Sequence, residues 1–292
     1  MTHDEHRDKW LADRKKCITA TDAAVIMESS PWDSKYSLMA KKLGYVPEKP
    51  ESERFEIALE LEAMVARMFE KRTGRKTMLC EPFTLRYHSE HSWMGATLDA
   101  LQMKCFVHGV LELKTGESWT ADKYCGGVPE QYWWQVQHQM AVTGLSYASI
   151  AVLIGVSSFK WMDVERDDEA IKRMVEAEHK FYQDMQEERF PDPDESEHTR
   201  LAIAARFKKE KTGASIPLPA EFIDLDDEYV VANAELKEAE KKVKAIKNRI
   251  AAYIGNAEQG TLPAAIWSYT TTERKGYTVE PTSFRQLRRH AI

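Results

Sequence analysis

The spacing of the hydrophobic residues changes at Gly74, and this change limits the fold more than any other feature of the sequence. Before Gly74, residues 53–72 place apolar side chains at helical spacing, which predicts one long amphipathic helix that stops at the glycine. After Gly74, residues 82–88, 93–101 and 105–115 resemble three short strands joined by turns. A long helix followed by a β-meander predicts an α/β or α+β chain.

Elements on either side of the meander complete this pattern. Residues 7–28 contain two helix starts separated by a short break at ITAT, and Thr19 or Thr21 can cap the second helix. A helix, two strands and a further helix follow the meander at 129–144, at 148–154, at 159–165 and from Asp167–Asp168 onward. We therefore predict a central mixed sheet flanked by helices.

The character of the chain changes again beyond the polar, proline-containing stretch FPDPDESEH at 190–198. We predict a core over 1–189, a linker over 190–218 and a helical appendage over 219–292 that packs on the core. Apolar residues from Leu236 to Tyr253 are spaced by three and four, which is a short heptad pattern. Such a helix packs either on its own domain or against another subunit.

Composition excludes several classes of protein. No apolar run approaches the roughly 20 residues of a membrane span, so we expect no membrane contact. The polar start MTHDEHRDKW lacks the apolar core of a signal peptide, and the four cysteines are single, which disfavours zinc, disulfide and iron–sulfur frameworks. These features predict a reduced, intracellular protein. The net charge of −6 disfavours a protein that only coats nucleic acid, but it is compatible with a nuclease.

The segment GVLELKT carries the strongest chemical signal. If it is a strand, Glu112 and Lys114 share one face, whereas Leu111 and Leu113 anchor the other face in the core. Asp99 lies at the end of the preceding predicted strand, so the meander can return it beside Glu112. Two close carboxylates repel each other, and a hard divalent cation such as Mg²⁺ relieves that repulsion.

Such an ion polarises a phosphate and activates a water, and Lys114 can orient that water or stabilise developing charge. The Glu-x-Lys pattern alone is weak, because the chain repeats it at 178–180, 235–237 and 240–242. Those copies lie in helical patterns, where residues two apart do not face each other. The alternative for the copy at 112–114 is a surface ion pair on an edge strand.

Several motifs together resemble one family. Arg14 precedes CITATDAA, and LELEAMVARMFEKRTG, GATLDAL, LELKT and YWWQVQHQM follow in order. In order and spacing, residues 7–185 resemble the lambda-exonuclease/YqaJ recombinase family of PD-(D/E)xK nucleases. The resemblance implies a restriction-endonuclease-like core. The chain departs from the family's usual Pro-Asp-Gly at Leu98-Asp99-Ala100.

The resemblance also assigns metal-site roles. Asp99, Glu112 and the backbone carbonyl of Leu113 would hold a metal, and Lys114 would be the catalytic lysine. Glu62 would lie near a second metal or its water; the alternative is a solvated helix charge. The implied cofactor is Mg²⁺, with Mn²⁺ as an alternative and two ions per site.

Four further residues receive binding roles from the resemblance. Tyr132 and Gln135, one helical turn apart, would line the site, although Tyr132 and its neighbouring tryptophans can instead be core residues. Arg14 and Thr21 would meet the 5′-phosphate end of DNA; a plain helix cap at Thr19 or Thr21 is the competing and compatible interpretation.

The implied activity is a 5′-to-3′ exonuclease specific for double-stranded DNA, which releases 5′-mononucleotides and leaves a 3′ single strand. The implied assembly is a homotrimeric ring that passes the strand to a single-strand annealing protein in the cytoplasm of a bacterial or phage-infected cell. The alternatives are another nuclease with the same core, such as an endonuclease or a RecB-like enzyme, and a non-catalytic DNA-binding or annealing protein. A binding protein has no need of an Asp/Glu/Lys cluster.

Overall fold

The structure is a computed structural model that describes residues 3–47, 52–273 and 285–290. Its helices are α1 (His3–Lys15), α2 (Ala20–Ile26), α3 (Lys35–Lys42), α4 (Glu53–Thr73), α5 (Glu130–Thr143), α6 (Asp168–Gln186), α7 (Glu197–Arg206) and α8 (Glu221–Ile254), with a 3₁₀ helix at Ser118–Tyr124. Its strands are β1 (Ile18–Thr19), β2 (Lys76–Leu79), β3 (Arg86–Tyr87), β4 (Met94–Ala96), β5 (Ala100–Lys104), β6 (Val107–Gly116), β7 (Tyr147–Ile154), β8 (Ser158–Glu165), β9 (Gln259–Leu262) and β10 (Ala265–Ser268).

The main sheet has five strands in the order β2-β5-β6-β7-β8. Only β6 and β7 pair in parallel, and α5 makes the crossover that a parallel pair requires. Gly144 ends α5 in a left-handed conformation with φ of 73°, which glycine adopts without strain. The predicted mixed central sheet is therefore confirmed, and β6 lies at its centre.

Helices cover both faces of this sheet. On one face, Val65 and Phe69 of α4 pack with Leu111 and Leu113 of β6. On the other face, α5 packs with α2 and α6, and Val136 and other apolar residues fill the space against the sheet. Because both faces of β6 are covered, its residues 109–113 are buried, and the strand becomes exposed again only toward its two ends.

Two predicted strands differ from the structure, and β2 was not predicted. Of residues 82–88, only Arg86–Tyr87 form a strand. Residues 93–101 form two strands in different sheets, because β4 pairs with β1 and β3 whereas β5 joins the main sheet. The chain bends between them at 97–99, where Leu98 is buried and the Asp99 side chain bonds to a backbone N–H. Asp99 therefore precedes β5 instead of ending a strand.

The chain divides into two compact units, one that runs to Lys208 and one that starts at Lys209. Part of the segment predicted as a linker over 190–218 forms α7, whose Ala202 packs with Tyr36 and Ala40 of α3 in the first unit. The second unit contains α8 and the β9–β10 hairpin, and the predicted region 219–292 also includes residues outside the described ranges. Packing of this region on the core stays a prediction.

Helices of sufficient length and apolar character to cross a membrane do not occur within the described ranges.

Candidate active site

Strand β6 delivers an acid and an amine to the same face of the sheet. Leu111 and Leu113 point toward α4, so the alternation of a strand sends Glu112 and Lys114 toward α5. Glu112 is only 2% exposed, and the Lys114 Nζ donates to its Oε1 over 2.6 Å. The predicted division of this strand into an apolar face and a face that carries Glu112 and Lys114 is confirmed.

Asp99 lies directly beside this pair. Ala100 is paired with Leu111 in the β5–β6 ladder, so Asp99 is placed opposite Glu112 one step beyond the last paired residues. The backbone N–H of Leu113 donates to the Asp99 Oδ2 over 2.8 Å. The N–H and C=O of one strand residue point to the same side, so the Leu113 carbonyl also faces the side on which Asp99 lies.

Two glutamines of α5 hold the Glu112 carboxylate from the other side. The Nε2 of Gln135 donates to Glu112 Oε1 and the Nε2 of Gln139 donates to Oε2, each over 2.6 Å. Gln135 also accepts from Lys114 through its Oε1 at 3.2 Å. Gln135 was predicted to line the site, whereas Gln139 was not, although it lies four residues later on the same face of the helix.

The acidic groups of this cluster oppose one another's ionisation. Burial, and then the charge of Glu112, raise the pKa of Asp99 well above its ordinary value. Burial and Glu112 likewise raise the pKa of Glu62 on α4 to about 7, with Lys114 acting in the opposite direction. Glu62 is thus within electrostatic reach of the cluster and is not a fully solvated helix charge.

Lys114 is the positive group that balances these acids. Burial favours its neutral form, but the charges of Glu112 and Asp99 outweigh burial and raise its pKa. Its Nζ also lies 4.9 Å from the ring centroid of Tyr132, a contact that favours the cation. Lys114 is therefore protonated in the structure, whereas a neutral amine would require that a metal first offset the two carboxylates.

Tyr132 lies at the edge of the cluster within a group of aromatic rings. Its ring stacks on that of Tyr124 at 6.3 Å and lies 6.0 Å from that of Trp32. The neighbouring Trp134 is 7% exposed and belongs to the core, as expected for at least one of these tryptophans. Tyr132 is only partly buried, so it both packs and lines the site.

Arg14 and Thr21 line a separate cavity of about 460 Å³. The Nη2 of Arg14 donates to the Thr21 hydroxyl over 3.0 Å, and the guanidinium lies 4.4 Å from the Trp10 ring centroid. Thr19, and not Thr21, is the N-cap residue of α2. Lys15, Lys41 and Lys42 also line the cavity, together with Asp22 and Asp33. The two aspartates pair with Lys42 and Lys41, so Arg14 and Lys15 leave the cavity with a net positive charge. Trp32 contributes to its wall, so this cavity and the aromatic group around Tyr132 share a residue.

Lys42 holds the wall of this cavity in place, a role that the sequence did not predict. Its Nζ donates to the backbone carbonyls of Arg14 and Cys17, each over 2.8 Å, and to the buried carboxylate of Asp22. These three bonds occupy all three of its protons, so Lys42 positions the backbone of Arg14. No local pattern marks Lys42 in the sequence, since α3 itself was not predicted.

The fold and the site together define an α/β protein in which the central strand of a mixed sheet carries an acid and lysine cluster beneath helix α5. A family model described as a YqaJ-like viral recombinase domain matches residues 9–146. The uncharacterized protein YqaJ of Bacillus subtilis (strain 168) is 30% identical over 275 residues, which cover 92% of this chain and 85% of that protein. The chain belongs to the YqaJ-like viral recombinase family.

Solved structures agree on the fold. The chain is similar to an alkaline exonuclease from Laribacter hongkongensis, with a TM-score of 0.51 and 22% identity over 62% of this chain and 93% of that one. It is also similar to a complex of the same exonuclease with dAMP, with a TM-score of 0.52, 21% identity and the same coverage. The predicted restriction-endonuclease-like core is therefore confirmed.

Proposed function

We propose that this protein is a metal-dependent exonuclease that degrades double-stranded DNA from its 5′ ends. It would release 5′-mononucleotides and leave a 3′ single strand for recombination. The observation that carries the proposal is the convergence of Asp99, Glu112 and Lys114 at the carboxyl end of β6, with Glu62 within electrostatic reach. Membership of a viral recombinase family, and a fold similar to that of an exonuclease solved with dAMP, support it.

The residues present fit a divalent cation. Burial, and then the charge of Glu112, raise the pKa values of Asp99 and Glu62, and a bound cation would favour the ionised form of both. Among the described residues, no three acidic, histidine or cysteine side chains form a complete ligand group. The proposed ligand set needs only two side chains, Asp99 and Glu112, because the Leu113 carbonyl and waters supply the remainder.

A buried oxygen beside Glu112 is consistent with this proposal. Within the described part of the chain, the Gln139 Oε1 is buried and accepts no hydrogen bond. A buried acceptor of this kind needs a donor such as a water molecule, and a hydrated ion would bring water to the cluster. When bound, Mg²⁺ or Mn²⁺ would polarise the scissile phosphate and lower the pKa of a water; we propose two ions, with Glu62 near the second.

Lys114 would act on the phosphate and on the attacking water. Its ammonium is held by Glu112 at 2.6 Å and Gln135 at 3.2 Å, so its position is fixed before substrate arrives. A fixed positive charge stabilises negative charge that develops on phosphate oxygens. Gln135 bonds both Lys114 and Glu112, and Tyr132 covers the amine, so these two residues orient the reacting groups.

The basic cavity would receive the 5′-phosphate. A terminal phosphate carries more negative charge than an internal linkage, and the Arg14 guanidinium offers a planar pair of donors to its oxygens. Thr21 adds a hydroxyl, and the backbone of Arg14 is held by Lys42. Holding the 5′ end in this cavity would place the next linkage at the metal site, which would give the enzyme its direction.

A homotrimeric ring around the duplex would explain processive digestion, because a closed ring cannot easily leave its strand. The 3′ strand would pass to a single-strand annealing protein in the cytoplasm of the host cell. Light scattering at micromolar concentration should give at least three chains of 33.6 kDa each. A monomer would contradict the ring, but not the chemistry.

The proposal is tested with linear duplex DNA incubated with Mg²⁺. Nucleotides should appear with time, EDTA should stop their release, and Lys114→Ala should show none above background. Covalently closed circular duplex is the matched substrate without ends, and it should stay intact. Rapid cutting of the circle would indicate an endonuclease, and binding without any release would indicate a non-catalytic DNA-binding protein.

A further inference from the structure

Helix α8 carries a continuous apolar stripe that is longer than the heptad pattern noted in the sequence. The stripe begins at Phe222 and Leu225, repeats every seven residues, and ends at Ile250 and Tyr253. No described residue of this 34-residue helix is buried. Leu236, Val243 and Ile246 in its middle are 57%, 51% and 53% exposed. A stripe with alternating spacings of three and four is the seam of a coiled coil, here called the α8 seam.

The residues that flank the α8 seam change sign halfway along the helix. One flanking row consists of the residues immediately before each repeat of the pattern, namely Glu221, Glu228, Glu235, Lys242 and Arg249. Flanking residues of this kind set the orientation of paired helices through charge. The row is acidic in its first half and basic in its second half, so it distinguishes parallel from antiparallel pairing.

A parallel copy of the helix would bring like charges together. In that arrangement each residue of the flanking row faces the residue five positions later on the other helix. Glu235 would face Glu240, and Lys242 would face Lys247. Glu221 would face Asp226, whose carboxylate is already paired with Arg289, so this contact adds nothing to the repulsion. Like charges in such positions are destabilising, so charge disfavours the parallel pair.

An antiparallel copy would bring opposite charges together. When the two seams run in opposite directions with Phe222 opposite Tyr253, Glu228 faces Arg249 and Glu235 faces Lys242. Two-fold symmetry doubles these to four attractive pairs, and Glu221 lies beyond the end of the other copy's row. Charge complementarity therefore favours a second, antiparallel copy of this chain over a parallel one.

Side-chain size agrees with the charges. Antiparallel alignment places the small Ala232 opposite Val243, and Ala239 opposite Leu236. Parallel alignment would instead stack each alanine on its own copy, which leaves two thin layers in the seam. Layers that combine a large and a small residue fill space evenly, and voids are destabilising.

A cavity at the end of α8 also fits this arrangement. It has a volume of about 490 Å³ and lies between Ile250 and Tyr253 of the helix and Trp267 of the β9–β10 hairpin. In the antiparallel pair, Phe222 and Leu225 of the other copy face Tyr253 and Ile250. The aromatic start of one helix would thus enter the apolar cavity at the end of the other.

We propose that α8 pairs with α8 of a second copy of this chain in an antiparallel, two-fold symmetric coiled coil. This contact does not rest on the nuclease proposal. A two-fold contact is also distinct from the three-fold contact of a ring, so it would join two rings or two monomers. In either case it doubles the mass of the assembly.

The test measures the mass of the full-length protein by light scattering at micromolar concentration. Glu228→Lys/Glu235→Lys should halve the mass, because lysines would then face Arg249 and Lys242. Lys242→Glu/Arg249→Glu should also halve it, and combining all four changes should restore it. An equimolar mixture of the two double variants should pair as well, which shows that each variant is still folded.

The matched control is Asp227→Lys/Glu238→Lys, which makes the same change in charge on the side of α8 away from the seam. It should keep the wild-type mass. The proposal is overturned if Glu228→Lys/Glu235→Lys keeps the wild-type mass or increases it, since the new positive charge opposite Glu240 would strengthen a parallel pair. A fourfold variant that stays at half mass would also overturn it.

Discussion

Glu62→Gln removes a partly buried charge from the acidic cluster. Burial and the Glu112 carboxylate raise the pKa of Glu62 from an ordinary 4.5 to about 7. Because the pKa in the folded protein lies above that in the unfolded chain, ionising Glu62 disfavours the folded state. The favourable contribution of this carboxyl is complete below pH 4.5 and is lost as the pH rises through about 7. Glutamine removes the charge while it keeps the size.

The size of the pKa shift sets the expected gain in the free energy of unfolding. Its full value would correspond to about 3 kcal/mol, since one pKa unit is about 1.4 kcal/mol. Glu62 is only partly buried, and solvent screening reduces the expected gain in the free energy of unfolding to about 1–2 kcal/mol. For a core of this size, that gain raises the melting temperature by roughly 2–8 °C.

Thermal unfolding in EDTA at about pH 5 and about pH 8.5 measures this effect. Glu62→Gln should melt above the wild type at the higher pH and close to it at the lower pH, and Mg²⁺ should reduce the difference. Glu60→Gln, an exposed position on the same helix, is the control and should change little. An equal gain for both variants, or a gain that does not depend on pH, would refute the proposed electrostatics.

Three further outcomes are expected. Lys114→Ala and Glu112→Ala should each lower nucleotide release by at least about a hundredfold, while duplex binding in EDTA persists in gel shifts; normal turnover in either variant would remove these residues from the reaction. The buried His138 Nδ1 lies 2.8 Å from the Glu178 Oε1, and although burial opposes the charge on the imidazole, Glu178 outweighs burial and raises the pKa of His138. The contribution of this pair to the free energy of unfolding is complete below pH 6.5 and is lost as the pH rises through the pKa of His138 in the folded protein. In urea unfolding, Glu178→Gln should weaken this pH dependence, and Glu178→Ala should lower the free energy of unfolding by about 3–5 kcal/mol. Identical pH profiles for the wild type and Glu178→Gln would contradict this. Duplex with a 5′-phosphate should be digested faster than duplex with a 5′-hydroxyl, and Arg14→Ala should remove most of the difference in initial rates; equal rates for the wild type would refute the basic cavity as a 5′-phosphate site.

Local patterns predicted those parts of the fold that depend on nearby residues. The period of residues 53–72 and the glycine at 74 gave α4, and the alternation of GVLELKT placed Glu112 and Lys114 on one face of β6. Strand pairing between segments that are far apart in the sequence was harder to predict. Residues 93–101 alternate like one strand, but β1 competes for the first half, so the chain bends before Asp99.

The same distinction holds for the site. Asp99, Glu112 and Lys114 are close in sequence, and the register of one hairpin brings them together. Lys42 and Gln139 act through contacts made by packed helices, to the backbone of Arg14 and to the Glu112 carboxylate. Such contacts depend on how α3 and α5 are oriented, which no short pattern encodes.

The order in which label is released from linear duplex tests the central claim most directly. Duplex with a 5′-phosphate would carry label either at its 5′ end or at its 3′ end and be incubated with Mg²⁺, with EDTA, or with the Lys114→Ala variant. A 5′-to-3′ exonuclease built on Asp99, Glu112 and Lys114 should release the 5′ label at once as a mononucleotide, and the 3′ label should stay in long single strands. Early release of the 3′ label, release in EDTA, or unchanged release by Lys114→Ala would contradict the account.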